Sequence, residues 1–129
     1  MSNKHTAQID VLAYAPHPDD AELFCGGLLA KLARQYGYRT AVVDLSRGEL
    51  STQGTVAIRA AEAAQAAEVL GLSHRENLGL PDGGIGRPQD GGAASRVEDT
   101  QLGRVVLSLR RLRPEVVLAP YHADRHPDH

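Results

Sequence analysis

A chain of 129 residues, 42% of them hydrophobic, is the size of one globular domain with a core of its own. Its formal net charge of -2, with 14 Lys and Arg scattered among 16 Asp and Glu, offers no basic face, so nucleic acid and anionic membrane surfaces are not expected partners. The lone Cys25 rules out an internal disulfide, MSNKHTAQID lacks the apolar core of a secretory signal, and VLAYA and EVVLAP fall well short of the roughly 18 residues of a membrane span, so a cytoplasmic location is expected.

In chain order, the apolar run Ile9 to Ala15 reads as a buried strand. A helix follows in which Leu23, Phe24, Leu28, Leu29, Leu32 and Tyr36 recur at helical spacing, with Gly37 as its stop. TAVVDL (40–45) is a second strand, SRGELSTQGT (46–55) a polar loop, and the Ala-rich stretch Val56 to Leu70 a helix ending at Gly71. RENLGLPDG (75–83) gives a short third strand closed by a Pro-Asp-Gly turn, and 83–95 a Gly-rich loop. Leu102, Val105, Val106, Leu109 and Leu112 mark a third helix, and EVVLAP (115–120) a fourth strand. The order β-α-β-α-β-α-β implies an α/β, Rossmann-like open parallel sheet with helices on both faces, incomplete at its C-terminal end.

Two clusters carry chemistry. APHPDD follows the first strand and YHADRHPDH follows the fourth. If the strand order is 3-2-1-4, these two strands are neighbours at the switch point, where open parallel sheets gather functional groups. His17 and Asp20 are three apart, on one face of a first helical turn opened by Pro18, and His126 and His129 are also three apart, with Pro127 between them. Three protein ligands with a fourth position left for water is the donor arrangement of a catalytic zinc site, and His17, Asp20 and His129 would supply it. Asp19, adjacent but not needed as a ligand, would be free to take a proton. Either cluster by itself has a plainer reading: Asp near a helix start is favoured by unpaired N–H groups, and a terminal His pair can simply be solvated. Both clusters carry His-Pro-Asp at the ends of strands expected to be adjacent, which raises the metal site above those readings. No GxGxxG, Walker or GxSxG pattern competes, and Cys25 reads as a small core residue.

APHPDDAE together with DRHPDH resembles the LmbE/PIG-L-like family of zinc-dependent N-acetylglucosamine deacetylases, over essentially the whole chain. VVDLSRGELSTQGT, LGLPDGG and RPEVVLAPYHADRHPDH are most similar to the branch that deacetylates N-acetylglucosaminyl malate in bacillithiol biosynthesis. The resemblance implies zinc, with iron(II) as the alternative, on His17, Asp20 and His129, and Asp19 as general base. It also implies His126 as the cationic partner of the oxyanion, with Asp128 holding the His126 imidazole. Arg59 and Arg125 become candidates for a carboxylate on an amino-sugar conjugate, a role suited to the guanidinium fork, against the plainer reading of surface ion pairs. Members of this branch run well beyond HPDH, so residues 1–129 are expected to be the N-terminal half of a longer domain that is homo-oligomeric at full length. A non-catalytic fragment or metal-binding module that needs a partner chain is the competing expectation.

Overall fold

The computed structural model describes residues 8–50, 54–86, 96–121 and 123–129. Parts of the two expected loops, 51–53 and 87–95, lie outside the described residues, as does Ser51. Four parallel strands, β1 (Val11–Ala15), β2 (Thr40–Ser46), β3 (His74–Leu80) and β4 (Val116–Leu118), form one sheet in the order β3-β2-β1-β4. Helices α1 (Asp20–Tyr36), α2 (Val56–Leu70) and α3 (Gln101–Leu112) connect them. The α/β alternation read from the sequence is therefore the architecture.

Period-two alternation sorts the strands' side chains between two cores. Leu12, Ala41, Val43, Leu78 and Leu80 pack beneath α3 with Leu112, while Val11, Ala13, Ala15 and Val42 pack beneath α1 with Ala21 and Leu29. Helix α2 lies beside α1, with Leu70 next to Gly26, and it buries no residue of its own. Both faces of the sheet are covered.

Two helix stops fall where the left-handed conformation is cheapest, Gly37 and Gly71 closing α1 and α2 at φ 66° and 69°, whereas α3 closes on Arg113 at φ 50°. Thr55 and Thr100 cap α2 and α3 by accepting the N–H groups of Ile58 and Gly103.

Three expectations need correction. Helix α1 begins at Asp20, not at Pro18, so His17 and Asp20 are joined by a turn, with the Asp20 N–H donating to His17 O at 3.2 Å. The face that α1 buries is Ala21, Gly26 and Leu29, flanked by Cys25 and Leu32; Leu23, Phe24, Leu28 and Tyr36 are exposed, as is Leu102 on α3. The fourth strand is shorter than expected, and Val116 and Val117 are exposed at the sheet's edge. Among the described residues no helix is long and apolar enough to cross a membrane.

Candidate active site and metal centre

β1 and β4 are hydrogen-bonded neighbours, with Ala13 opposite Leu118, and both motifs therefore leave the same end of the sheet side by side. Ser46 pins the first motif: its N–H and its hydroxyl both donate to Pro16 O, at 3.0 and 2.9 Å. The second motif turns back on itself, with the His129 N–H donating to His126 O at 3.1 Å and the two rings stacked 4.6 Å apart.

The donors converge on one carboxylate oxygen. Asp20 Oδ2 lies 3.2 Å from His17 Nδ1 and 3.2 Å from His129 Nε2, and also accepts the His17 main-chain N–H at 3.0 Å. Ring nitrogens and a carboxylate oxygen this close repel through their lone pairs unless a proton or a cation stands among them. Ligands placed 2.0–2.2 Å from a tetrahedral zinc lie about 3.4 Å from one another, and the two separations from Asp20 Oδ2 are close to that value. Among the described residues, the groups whose ligand atoms all lie within 4.8 Å of one another are His17, His126 and His129, and His17, Asp82 and Asp128, while Asp20 would add a carboxylate to His17 and His129. The His126 ring joins the same cluster, its donor atoms within 4.8 Å of those of His17 and His129.

Each proposed imidazole ligand turns its other nitrogen to a carboxylate, the usual device for fixing the tautomer of a metal-binding His. His17 Nε2 is 2.9 Å from Asp128 Oδ2 and 3.1 Å from Asp82 Oδ1, and His129 Nδ1 is 3.5 Å from Asp124 Oδ2. Asp128, 5% exposed, also accepts the main-chain N–H groups of Gly83 and Ile85. Burial opposes its charge, but the His17 ring and those two N–H groups together hold its pKa below the usual carboxylate range. The Asp128 carboxylate thus serves His17. What meets His126 Nδ1 is the Asp128 main-chain N–H, at 3.1 Å, and not the side chain that the resemblance implied.

Asp19 is a different kind of carboxylate. Its side chain makes no capping bond and is 57% exposed, so the plain capping reading does not account for it. Partial burial first, and then the neighbouring Asp20 charge, raise its pKa, with Arg59 opposing. Its backbone sits at φ 121°, a region that residues other than Gly rarely adopt.

Arg59 does not behave as a surface ion pair. Its Nη2 donates to Pro18 O at 2.8 Å, its Nη1 donates to Gly48 O at 3.3 Å, and it stands 3.6 Å from Asp19 Oδ2, so it braces the first motif from α2. Gly48 sits at φ 66°, a left-handed conformation that favours Gly, and a Cβ there would push the guanidinium aside. Arg125 is exposed on the second motif.

Asp82 and Asp124 are site residues that the sequence reading missed. Pro-Asp-Gly is sufficient as turn chemistry, so nothing local marks the Asp82 side chain for a second task. Its Oδ2 accepts the Leu50 N–H at 2.8 Å, which ties the loop after β2 to the loop after β3. Asp124 lies inside a stretch singled out for its His residues, and its pairing with His129 depends on the turn between them.

Fold and site together define a Rossmann-like α/β protein with an imidazole–carboxylate cluster that could hold a metal ion at its switch point. A family model described as "PIG-L: GlcNAc-PI de-N-acetylase" matches residues 12–129, and the chain belongs to this PIG-L de-N-acetylase family. It is 34% identical over 119 residues to the "Uncharacterized deacetylase YaiS" of Escherichia coli (strain K12), covering 92% of this chain and 61% of that one. Among solved structures it is similar to the conserved protein TT1542 from Thermus thermophilus, with TM-score 0.77 and 47% identity over 95% of this chain and 50% of that one. It is also similar to the N,N'-diacetylchitobiose deacetylase of Pyrococcus horikoshii, with TM-score 0.70 and 27% identity over 93% of this chain and 45% of that one. GalB, the 4-carboxy-2-hydroxymuconate hydratase of Pseudomonas putida KT2440, matches with TM-score 0.67 and 30% identity over 95% of this chain and 51% of that one. The chain spans about half the length of these solved proteins.

Proposed function

We propose that this chain carries the metal-binding half of an N-deacetylase that hydrolyses the acetyl amide of an N-acetylglucosamine conjugate, N-acetylglucosaminyl malate being the preferred candidate. The observation that carries this reading is the convergence of His17 Nδ1 and His129 Nε2 on one oxygen of Asp20, with Asp19 beside them. Zinc held by His17, Asp20 and His129 would supply Lewis acidity, lowering the pKa of water from 15.7 to about 7.

The remaining steps belong to the chain's own side chains. Asp19 takes the proton of the attacking water and returns it to the amine nitrogen as the C–N bond breaks; a carboxylate with a raised pKa is suited to both transfers. His126, whose Nδ1 accepts the Asp128 N–H, would donate its Nε2–H to the developing oxyanion. Asp128, Asp82 and Asp124 keep the ligand imidazoles in register, and Arg125 is exposed where it can meet a carboxylate on the aglycone. The products are acetate and the free amino sugar, to be measured with the zinc-loaded chain and N-acetylglucosaminyl malate. Zinc uptake without release of acetate from any N-acetylglucosamine conjugate would reject the reading.

A second reading is a metal-binding fragment that turns over only with a partner or with further chain, and the coverage of about half of each solved relative favours it. Turnover by the 129-residue chain alone decides against it. The similarity to a hydratase makes water addition to a carbon–carbon double bond the control reaction.

A further inference from the structure

Beneath the first motif lies a buried ion cluster that the reaction as described does not use. The Arg75 side chain, in β3, is 7% exposed. Its Nε donates to Asp44 Oδ2 at 2.8 Å and its Nη2 donates to Asp44 Oδ1 at 3.0 Å, a bidentate pair with the end of β2. Its Nη1 donates to Ala63 O in α2 at 3.5 Å. Burial works against the charge of Arg75, but Asp44 and Glu22 raise its pKa, so the guanidinium stays charged.

Nη2 also lies 2.9 Å from Glu22 Oε1, in the first turn of α1. That oxygen is buried, and the Arg75 guanidinium beside it offsets its desolvation. One guanidinium thereby ties β2, β3 and α2 to the helical turn that carries Asp20 and that starts directly after the strained Asp19. A backbone held at φ 121° persists only where its surroundings over-determine it. Arg59 holds the preceding segment at Pro18 O, leaving the far side of the turn to Glu22.

We propose that Arg75, oriented by Asp44, is a positioning residue: through Glu22 it holds the His-Pro-Asp-Asp turn in the geometry that brings Asp20 to His17 and His129. The inference rests on the metal-centre reading of those three residues.

The test compares the wild-type chain with Glu22→Ala and Glu22→Gln by thermal unfolding, hydrogen exchange of a peptide spanning residues 16–24, and zinc affinity in competition with a chromophoric chelator. Glu22→Ala is expected to unfold near the wild-type temperature, to exchange faster within 16–24 while β3 is unchanged, and to bind zinc about 10- to 100-fold more weakly. Glu22→Gln keeps an oxygen for the guanidinium and is expected to recover most of that affinity. The proposal is overturned if Glu22→Ala exchanges and binds zinc like the wild type, or if exchange rises throughout the chain, which would make Glu22 only a contributor to stability. Should the wild type take up no zinc, the metal reading fails, while exchange within 16–24 still decides for or against the brace.

Discussion

Four carboxylates crowd the two motifs, and each answers to a different neighbour. Asp20 faces two ring nitrogens, Asp128 serves His17 and two main-chain N–H groups, Asp124 serves His129 and the His126 N–H, and Asp19 stays outside the donor set. Deleting a ligand therefore differs from deleting the base. His17→Ala is expected to abolish zinc uptake in equilibrium dialysis. Asp19→Ala should keep zinc and lose turnover by about 10²- to 10⁴-fold. Wild-type rates from Asp19→Ala would remove it as the base.

Asp128 also links the site to stability. Its pKa is lower in the folded chain than the roughly 3.9 of an unfolded Asp, so its contribution is complete above that value and fades as pH falls through the lower folded value. Asp128→Asn is expected to unfold about 1–3 kcal/mol more easily at pH 7 in urea titrations of the metal-free protein, with the gap closing below pH about 4. A gap that does not change with pH would place the loss in packing instead of charge.

The element scale is where reading apolar spacing was least reliable. Helix α1 starts and stops close to where its sequence suggests, yet its apolar residues exceed what one face can bury, and spacing alone cannot choose among them. The sheet takes the small side, Ala21, Gly26 and Leu29, because β1 presents Ala13 and Ala15 and lets the helix come close. Leu29 is 0% exposed and Phe24 73%. Leu29→Ala is accordingly expected to cost about 2–5 kcal/mol in denaturant unfolding, and Phe24→Ala no more than about 0.5 kcal/mol. Equal losses at the two positions would mean that the buried face is assigned wrongly.

For the whole molecule, β4 is the last strand of the sheet, and the apolar surface beside it continues across Val117, Leu28 and Phe24 to His129. Exposed sheet edges and contiguous apolar surface favour association. The 129-residue chain is expected to elute from a size-exclusion column at a volume that depends on its concentration, and a single monomer peak across a hundredfold dilution would contradict this.

The order of strands and helices, the two Gly helix stops and the two His-Pro-Asp motifs were legible in the amino-acid sequence, because each depends on local periodicity or on the conformational range of a single residue. The direction of each side chain was not. That Asp128 serves His17, that Asp82 reaches the site from a turn 62 positions further along the chain than Asp20, and that Arg75 binds β2 to α1 are settled only when β1 lies between β2 and β4. A sequence records how residues are spaced along the chain, whereas these contacts depend on which strand is whose neighbour, which only packing of the whole sheet decides.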